Sequence, residues 1–191
     1  MTTPKTKILI VDDNIDNIDV LEELLEDDYF LGIAQSGEEC LEKAHEFKED
    51  IILLDVMMPG IDGHTVCQQL RENPDFLSTK ILMISAKARS EEILKGYTSG
   101  ADDYIVKPFE KNEVRAKIDV YSKIVNVEKS NKEKIEILTQ LAQNLQDPLQ
   151  EIKTYAQNLQ ENTSLEGTHK EYLTHIIEKA NLLENLAKEI H

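Results

Sequence analysis

Apolar residues recur along the first two thirds of the chain in two alternating rhythms. Lys7-Ile8-Leu9-Ile10-Val11, Ile51-Ile52-Leu53-Leu54 and Lys80-Ile81-Leu82-Met83-Ile84 are short runs without polar alternation, which predicts strands buried on both faces. Leu31 to Ala34 and Tyr104-Ile105-Val106 predict two briefer strands. Between them the spacing is helical. Ile15, Ile18, Leu21, Leu24 and Leu25 mark a helix from 14 to about 27, and Ser36 is an N-cap for one that turns Cys40, Leu41, Ala44 and Phe47 inward. A third helix runs from about 63 to 72, closed by Asn73-Pro74, and a fourth from about 90 to 99, stopped at Gly100. Strands alternating with helices through short connections imply right-handed crossovers and a parallel sheet covered on both faces, an α/β fold.

Beyond Glu110 the strand rhythm disappears. Residues 110 to about 160 read as one very long helix interrupted by Pro148, 162 to 167 as a turn, and 168 to 191 as a second helix. Ile135, Leu138, Leu141, Leu145, Leu149, Ile152, Ala156 and Leu159 stripe the first helix. Tyr172, Leu173, Ile176, Ile177, Ala180, Leu183, Leu186 and Ile190 stripe the second. Two helices cover only part of such a face and four cover it all, so the expectation is an antiparallel hairpin that pairs with a second copy into a dimeric four-helix bundle. The domains expected are 1–122 for the α/β part and 123–191 for the linking helix and hairpin.

Composition narrows the function classes. The 191 residues carry a formal net charge of -16, which argues against binding to nucleic acid or anionic lipid, since phosphate backbones demand clustered Lys and Arg. No apolar run reaches the ~18 residues of a membrane span, and the N-terminus lacks a signal-peptide core. Cys40 and Cys67 have no metal-type spacing and read as buried or incidental thiols, so a cytoplasmic location is expected.

The chemistry concentrates at strand ends. Asp55 stops the central strand just before Pro59-Gly60, Asp12 and Asp13 stop the first strand, Ser85 the fourth, and Lys107 follows the fifth. In open α/β sheets the carboxyl edge is where ligands bind. Three carboxylates there favour a hard cation such as Mg2+. A cation, a hydroxyl and an ammonium suit the oxygens of a phosphoryl group in transfer, with the Asp55 carboxylate as nucleophile.

On Val11-Asp12-Asp13, Leu54-Asp55-Val56-Met57-Met58-Pro59-Gly60, Ser85-Ala86 and Lys107-Pro108-Phe109, the stretch 8–109 resembles the receiver domain of two-component response regulators. The resemblance implies a flavodoxin-like (βα)5 doubly wound sheet of order 2-1-3-4-5. It implies that Asp55 accepts a phosphoryl group from a phosphohistidine of a partner histidine kinase. Asp13 and Asp55 would hold Mg2+ through their side chains, Met57 through its carbonyl and Asp12 through water. Ser85 and Lys107 would engage phosphoryl oxygens, and Tyr104 would be an aromatic switch that turns inward with Ser85.

The tail is similar, more distantly, to the dimerisation domain of histidine kinases. Leu145, Pro148 and Leu149 match the phosphoacceptor helix, Glu171-Tyr172-Leu173-Thr174-His175-Ile176-Ile177 is similar to the second helix, and Gln143 stands where the acceptor histidine belongs. A glutamine amide is no substitute for an imidazole nucleophile, so the hairpin is expected to dimerise without accepting phosphate from ATP. The expected protein is a phosphoacceptor, not a kinase, that signals through a homodimeric coiled-coil platform to an unidentified protein. The alternative is the front part of a hybrid or degenerate kinase. Val114, Ile118, Tyr121, Val125 and Ile135 are read as a broken seam in the long helix. His45, His64 and His169 are read as solvated, and His175 as a boundary residue beside the stripe.

Overall fold

The computed structural model describes residues 5–86, 90–162 and 167–189. In chain order the elements are β1 (Lys7–Val11), α1 (Ile15–Leu25), β2 (Phe30–Ala34), α2 (Gly37–Phe47), β3 (Ile51–Asp55), α3 (Gly63–Glu72), β4 (Lys80–Ser85), α4 (Ser90–Thr98), β5 (Asp103–Val106), α5 (Lys111–Asn162) and α6 (Gly167–Glu189). A 3-10 turn, Pro74–Phe76, follows α3. The chain divides into two compact units, 1–128 and 129–191.

In the first unit five parallel strands lie in the order β2-β1-β3-β4-β5. Side chains alternate across a strand, so an apolar run sends successive residues to opposite faces. Leu9, Val11, Ile52, Leu54, Ile81 and Met83 enter one core cluster with residues of α2 and α3. Ile8, Ile10, Ile51, Leu53, Leu82 and Ile84 enter the other with residues of α1 and α5. All five residues of β3 are buried, as the uninterrupted run predicts. The helices start on side-chain caps: Asn14 accepts from the Asp16 amide, Ser36 from Glu39 and Asp62 from Thr65.

Ile15 is half exposed, because it lies in the first turn of α1 away from the face of Ile18, Leu21 and Leu25. Two sequence expectations are corrected here. His64 is buried, because it shares the inner face of α3 with Val66, Cys67 and Leu70; its Nδ1 lies 3.3 Å from Ser99 Oγ. Val114, Ile118 and Val125 are no seam. They belong to the core beneath the sheet, and Ser122 beside them shares a buried hydrogen bond of 2.8 Å with Thr6.

In the second unit the inward positions of α5 are Ala142, Leu149 and Ala156, and those of α6 include Ala180 and Ala187. The large stripe residues Leu138, Leu141, Leu145, Ile152, Leu159, Tyr172, Ile176 and Leu183 are exposed in the single chain. Small residues allow close approach and leave the bulky neighbours outside. Pro148 lies inside α5 rather than ending it. The turn expected at 162–167 falls largely outside the described residues, as do Ile190 and the Leu186 side chain. No helix among the described residues is long and apolar enough to cross a membrane.

Candidate functional site

Register brings the strand-terminal residues level. Val11 pairs with Leu54, Asp55 with Ile84, and Ser85 with Val106. Asp12, Asp55, Ser85 and Lys107 therefore emerge at one edge of the sheet. Asp12 and Asp55 are buried and Asp13 is exposed; one carboxylate oxygen from each of the three falls within 4.8 Å of the others. Lys107 Nζ donates to Asp12 Oδ2 at 2.7 Å and to Asp55 Oδ1 at 2.8 Å. The backbone shapes this edge too. The Lys107 amide donates to the Ser85 carbonyl at 2.7 Å, and the Lys107–Pro108 peptide is cis.

Burial pushes the Asp55 carboxyl above the ordinary carboxylate range. The Lys107 ammonium pulls it back and the charges of Asp12 and Asp13 push it up again, leaving a net rise. Burial alone would lower the Lys107 ammonium. Its bonds to Asp12 and Asp55 outweigh that and raise it, so it stays charged at neutral pH.

Gly60, at φ 79°, makes the turn after Pro59 that only a residue without a Cβ adopts easily. Gly63 opens α3 against β3, and a Cβ there would lie 2.3 Å from the Asp55 carbonyl oxygen. A cavity of about 520 Å3 next to Asp55 is bounded by Asp13, Met57, Met58, Asp62, His64 and Lys95. Met57 is exposed at its rim. The Tyr104 ring is buried, with Gly96 of α4 packed against it. Ser85 is fully buried at the end of β4. Gln143 is exposed on α5, in the other unit.

Two participants escaped the sequence reading. Asn17, one turn into α1, donates from Nδ2 to both oxygens of Asp12, at 3.0 and 3.1 Å, while the Asn14 amide donates to Asp12 Oδ1. Their signal was the spacing Asp12-Asn14-Asn17, which places amide donors over a carboxylate at a helix start. Lys95 of α4 brings an ammonium to the cavity, and no local pattern marks it.

The donor set fits a hard divalent cation: three carboxylates, one of them open to solvent, with oxygen ligands only. A bound cation would offset the charge that accumulates when an anionic group joins these acids.

Comparison with known proteins agrees in extent and kind. Residues 8–119 match the family model described as response regulator receiver domain. The transcriptional regulatory protein ResD of Bacillus subtilis is 44% identical over 113 residues, 59% of this chain and 46% of that protein. PhoP of the same organism, an alkaline phosphatase synthesis transcriptional regulatory protein, gives the same figures. The chain spans about half the length of the curated relatives it matches. Among solved structures, the chemotaxis response regulator CheY4 of Vibrio cholerae superposes with a TM-score of 0.59 at 29% identity, over 62% of this chain and 99% of that one. The beryllofluoride-activated DrrB receiver domain gives 0.58 at 28%, over 63% and 99%.

Proposed function

Since the chain belongs to the response regulator receiver family, we propose that Asp55 is its phosphoacceptor and that α5 and α6 form its output. The observation that carries this reading is the Lys107 ammonium held between Asp12 and Asp55 at the carboxyl edge of the sheet. The donor is a phosphohistidine on a partner histidine kinase. An Asp55 carboxylate oxygen attacks phosphorus, the N–P bond breaks, and the departing imidazole keeps the bonding pair and takes up a proton. The product is an acyl phosphate.

Asp12, Asp13 and Asp55, with the Met57 carbonyl, are the groups that would hold Mg2+, which supplies positive charge beside the phosphoryl oxygens. Lys107 gives up one carboxylate to meet a phosphoryl oxygen, and the Ser85 hydroxyl donates to another. Asn17 keeps Asp12 oriented meanwhile. Ser85 and Tyr104, on adjacent strands, are the residues through which the surface of α4 and β5 responds.

The output is a homodimer through the helical unit, in the manner of a kinase dimerisation domain whose acceptor position is Gln143. The exposed stripe of Leu145, Ile152, Tyr172 and Leu183 supports it, because apolar area of this kind on a single hairpin calls for a covering surface. DNA binding and transcriptional regulation belong to the relatives that carry those names. The net charge of -16 supports a protein target for this chain, in the cytoplasm.

The test is incubation of the full chain with acetyl phosphate and Mg2+, followed by intact-mass spectrometry. One base-labile phosphoryl group on the wild type and none on Asp55→Asn is the expected result. An unmodified wild-type chain defeats the reading. Sedimentation with and without beryllofluoride then shows whether the dimer responds to the acceptor.

A further inference from the structure

At the end of the sheet away from Asp55, Glu49 closes the corner between α2 and β3. It is 5% exposed, and both of its carboxylate oxygens are shut off from solvent without a hydrogen-bond partner. Its own backbone N–H compensates in part, in a geometry that makes no hydrogen bond. Buried polar groups are nearly always paired, and an ionised carboxylate is the costliest kind to leave alone.

Among the described residues none donates a hydrogen bond to its side chain, and the Lys7 charge offsets it only in part. On β1, Lys7 Nζ donates to the Phe47 carbonyl at 3.0 Å and lies over the Phe47 ring. From α2 come the buried Cys40 thiol and His45, which sits edge-on to Phe76, and at its end the exposed Lys48. Leading into β3, Asp50 is a second carboxylate, and the 3-10 turn adds Asp75. A cavity of about 370 Å3, lined by His45, Lys48, Asp50, Asp75, Ser78 and Thr79, adjoins Glu49.

We infer that Glu49 is a proton-operated latch on the α2–β3 corner: the folded corner accommodates the neutral acid, and loss of the proton drives the carboxylate toward the adjoining cavity and loosens the foot of β3. This is independent of the phosphoacceptor reading. Burial pushes the Glu49 carboxyl up to about 7, with Asp50 adding to the rise and Lys7 opposing it. The Cys40 thiol is held up, to about 12, by burial and then by the Glu49 charge.

An acid whose pKa is higher folded than unfolded holds its proton longer in the native state. Stability therefore falls as pH rises from the ordinary glutamate value through about 7, and levels off above. The experiment follows the Glu49 carboxyl carbon by NMR in the full chain. It adds denaturant unfolding against pH, wild type beside Glu49→Gln, and hydrogen exchange at the Asp50 and Lys80 amides. Those amides donate to the Lys7 and Asp50 carbonyls, at 2.9 Å each.

The carboxyl should titrate near neutrality. The wild-type unfolding constant should rise with pH more steeply than the variant's, by up to roughly tenfold per unit. Both amides should exchange faster above neutrality, beyond intrinsic base catalysis, in the wild type alone. A carboxyl that titrates at the ordinary glutamate value, or identical pH slopes in the two proteins, overturns the latch. If Glu49→Gln does not fold, the wild-type titration decides alone.

Discussion

The Lys107 ammonium lies 2.8 Å from the Asp55 carboxylate while its second hydrogen bond, 2.7 Å long, goes to Asp12. One cation thus serves two buried acids. Lys107→Met removes the shared cation, leaving Asp12 with its Asn14 and Asn17 donors and the Asp55 charge uncompensated, and should cost about 3 kcal/mol in urea unfolding, the usual penalty for an uncompensated buried charge. Phosphorylation of Asp55 by acetyl phosphate should slow roughly a hundredfold, as when one donor to a developing oxyanion is removed. Unchanged values in both assays would strip Lys107 of either role.

Asp55 pulls stability the other way. Its carboxyl is raised in the folded state, chiefly by burial, so it weakens the fold as pH climbs from the ordinary aspartate value through the folded one. Asp55→Asn should therefore raise the thermal midpoint in metal-free neutral buffer, by roughly 2–4 °C for each ~1 kcal/mol relieved. The gain should vanish at acid pH. Millimolar Mg2+ should raise the midpoint of the wild type more than that of the variant, by ligand linkage. Calorimetry across pH checks both.

Gly63 is the clearance between α3 and the Asp55 backbone. In Gly63→Ala the new methyl would meet the Asp55 carbonyl oxygen and Val56 Cα, so backbone must shift. The expected loss is about 1–3 kcal/mol, as for other overpacked sites. Phosphorylation of Asp55 by acetyl phosphate should slow in step, although no acidic or basic group has changed. A variant with wild-type stability and rate would show that α3 yields freely.

Arg71 ties the far side of the sheet. Its guanidinium donates to the carbonyls of Gly100, Phe76 and Thr79 and to the Asp102 carboxylate. Arg71→Lys keeps the charge but not the planar fork, and should still lose about 2 kcal/mol or more. Chemical denaturation with both Arg71→Lys and Arg71→Ala tests this. Full rescue by lysine would contradict it.

Leu145 and Ile152 are half exposed in the single chain. If a second copy covers them, Leu145→Glu with Ile152→Glu should lower the sedimentation coefficient to that of a monomer and leave Asp55 reactivity intact. A monomeric wild type, or an unaltered dimer in the double variant, removes the proposed output.

Sequence reading found the strand-terminal groups because apolar runs are unambiguous and a polar residue that ends one stands out. Asp12, Asp13, Asp55, Ser85 and Lys107 could each be placed that way, and the ordered pairing of β1, β3, β4 and β5 then brought them level. Asn17 was missed because its contribution is an orientation, invisible until the helix start is seen over Asp12. Val114 and Ile118 were read as seam because a helical stripe tells that a face is covered and not what covers it. His64 followed the habit that histidines are wet, against the evidence of its own spacing to Cys67. In the hairpin, Ala142 and Ala187 were missed because alanine carries little hydrophobic signal, whereas Ala156 and Ala180 stood in the stripes.

That alanine seam has a thermodynamic corollary. Methyl groups remove little area from water, at about 25 cal/mol per Å2, so two helices joined, among the described residues, mainly through Ala142, Ala156, Ala180, Ala187 and Leu149 gain little from one another. A peptide comprising this unit alone should be largely unstructured when dilute and gain helicity as its concentration rises, its folding having become a second-order process.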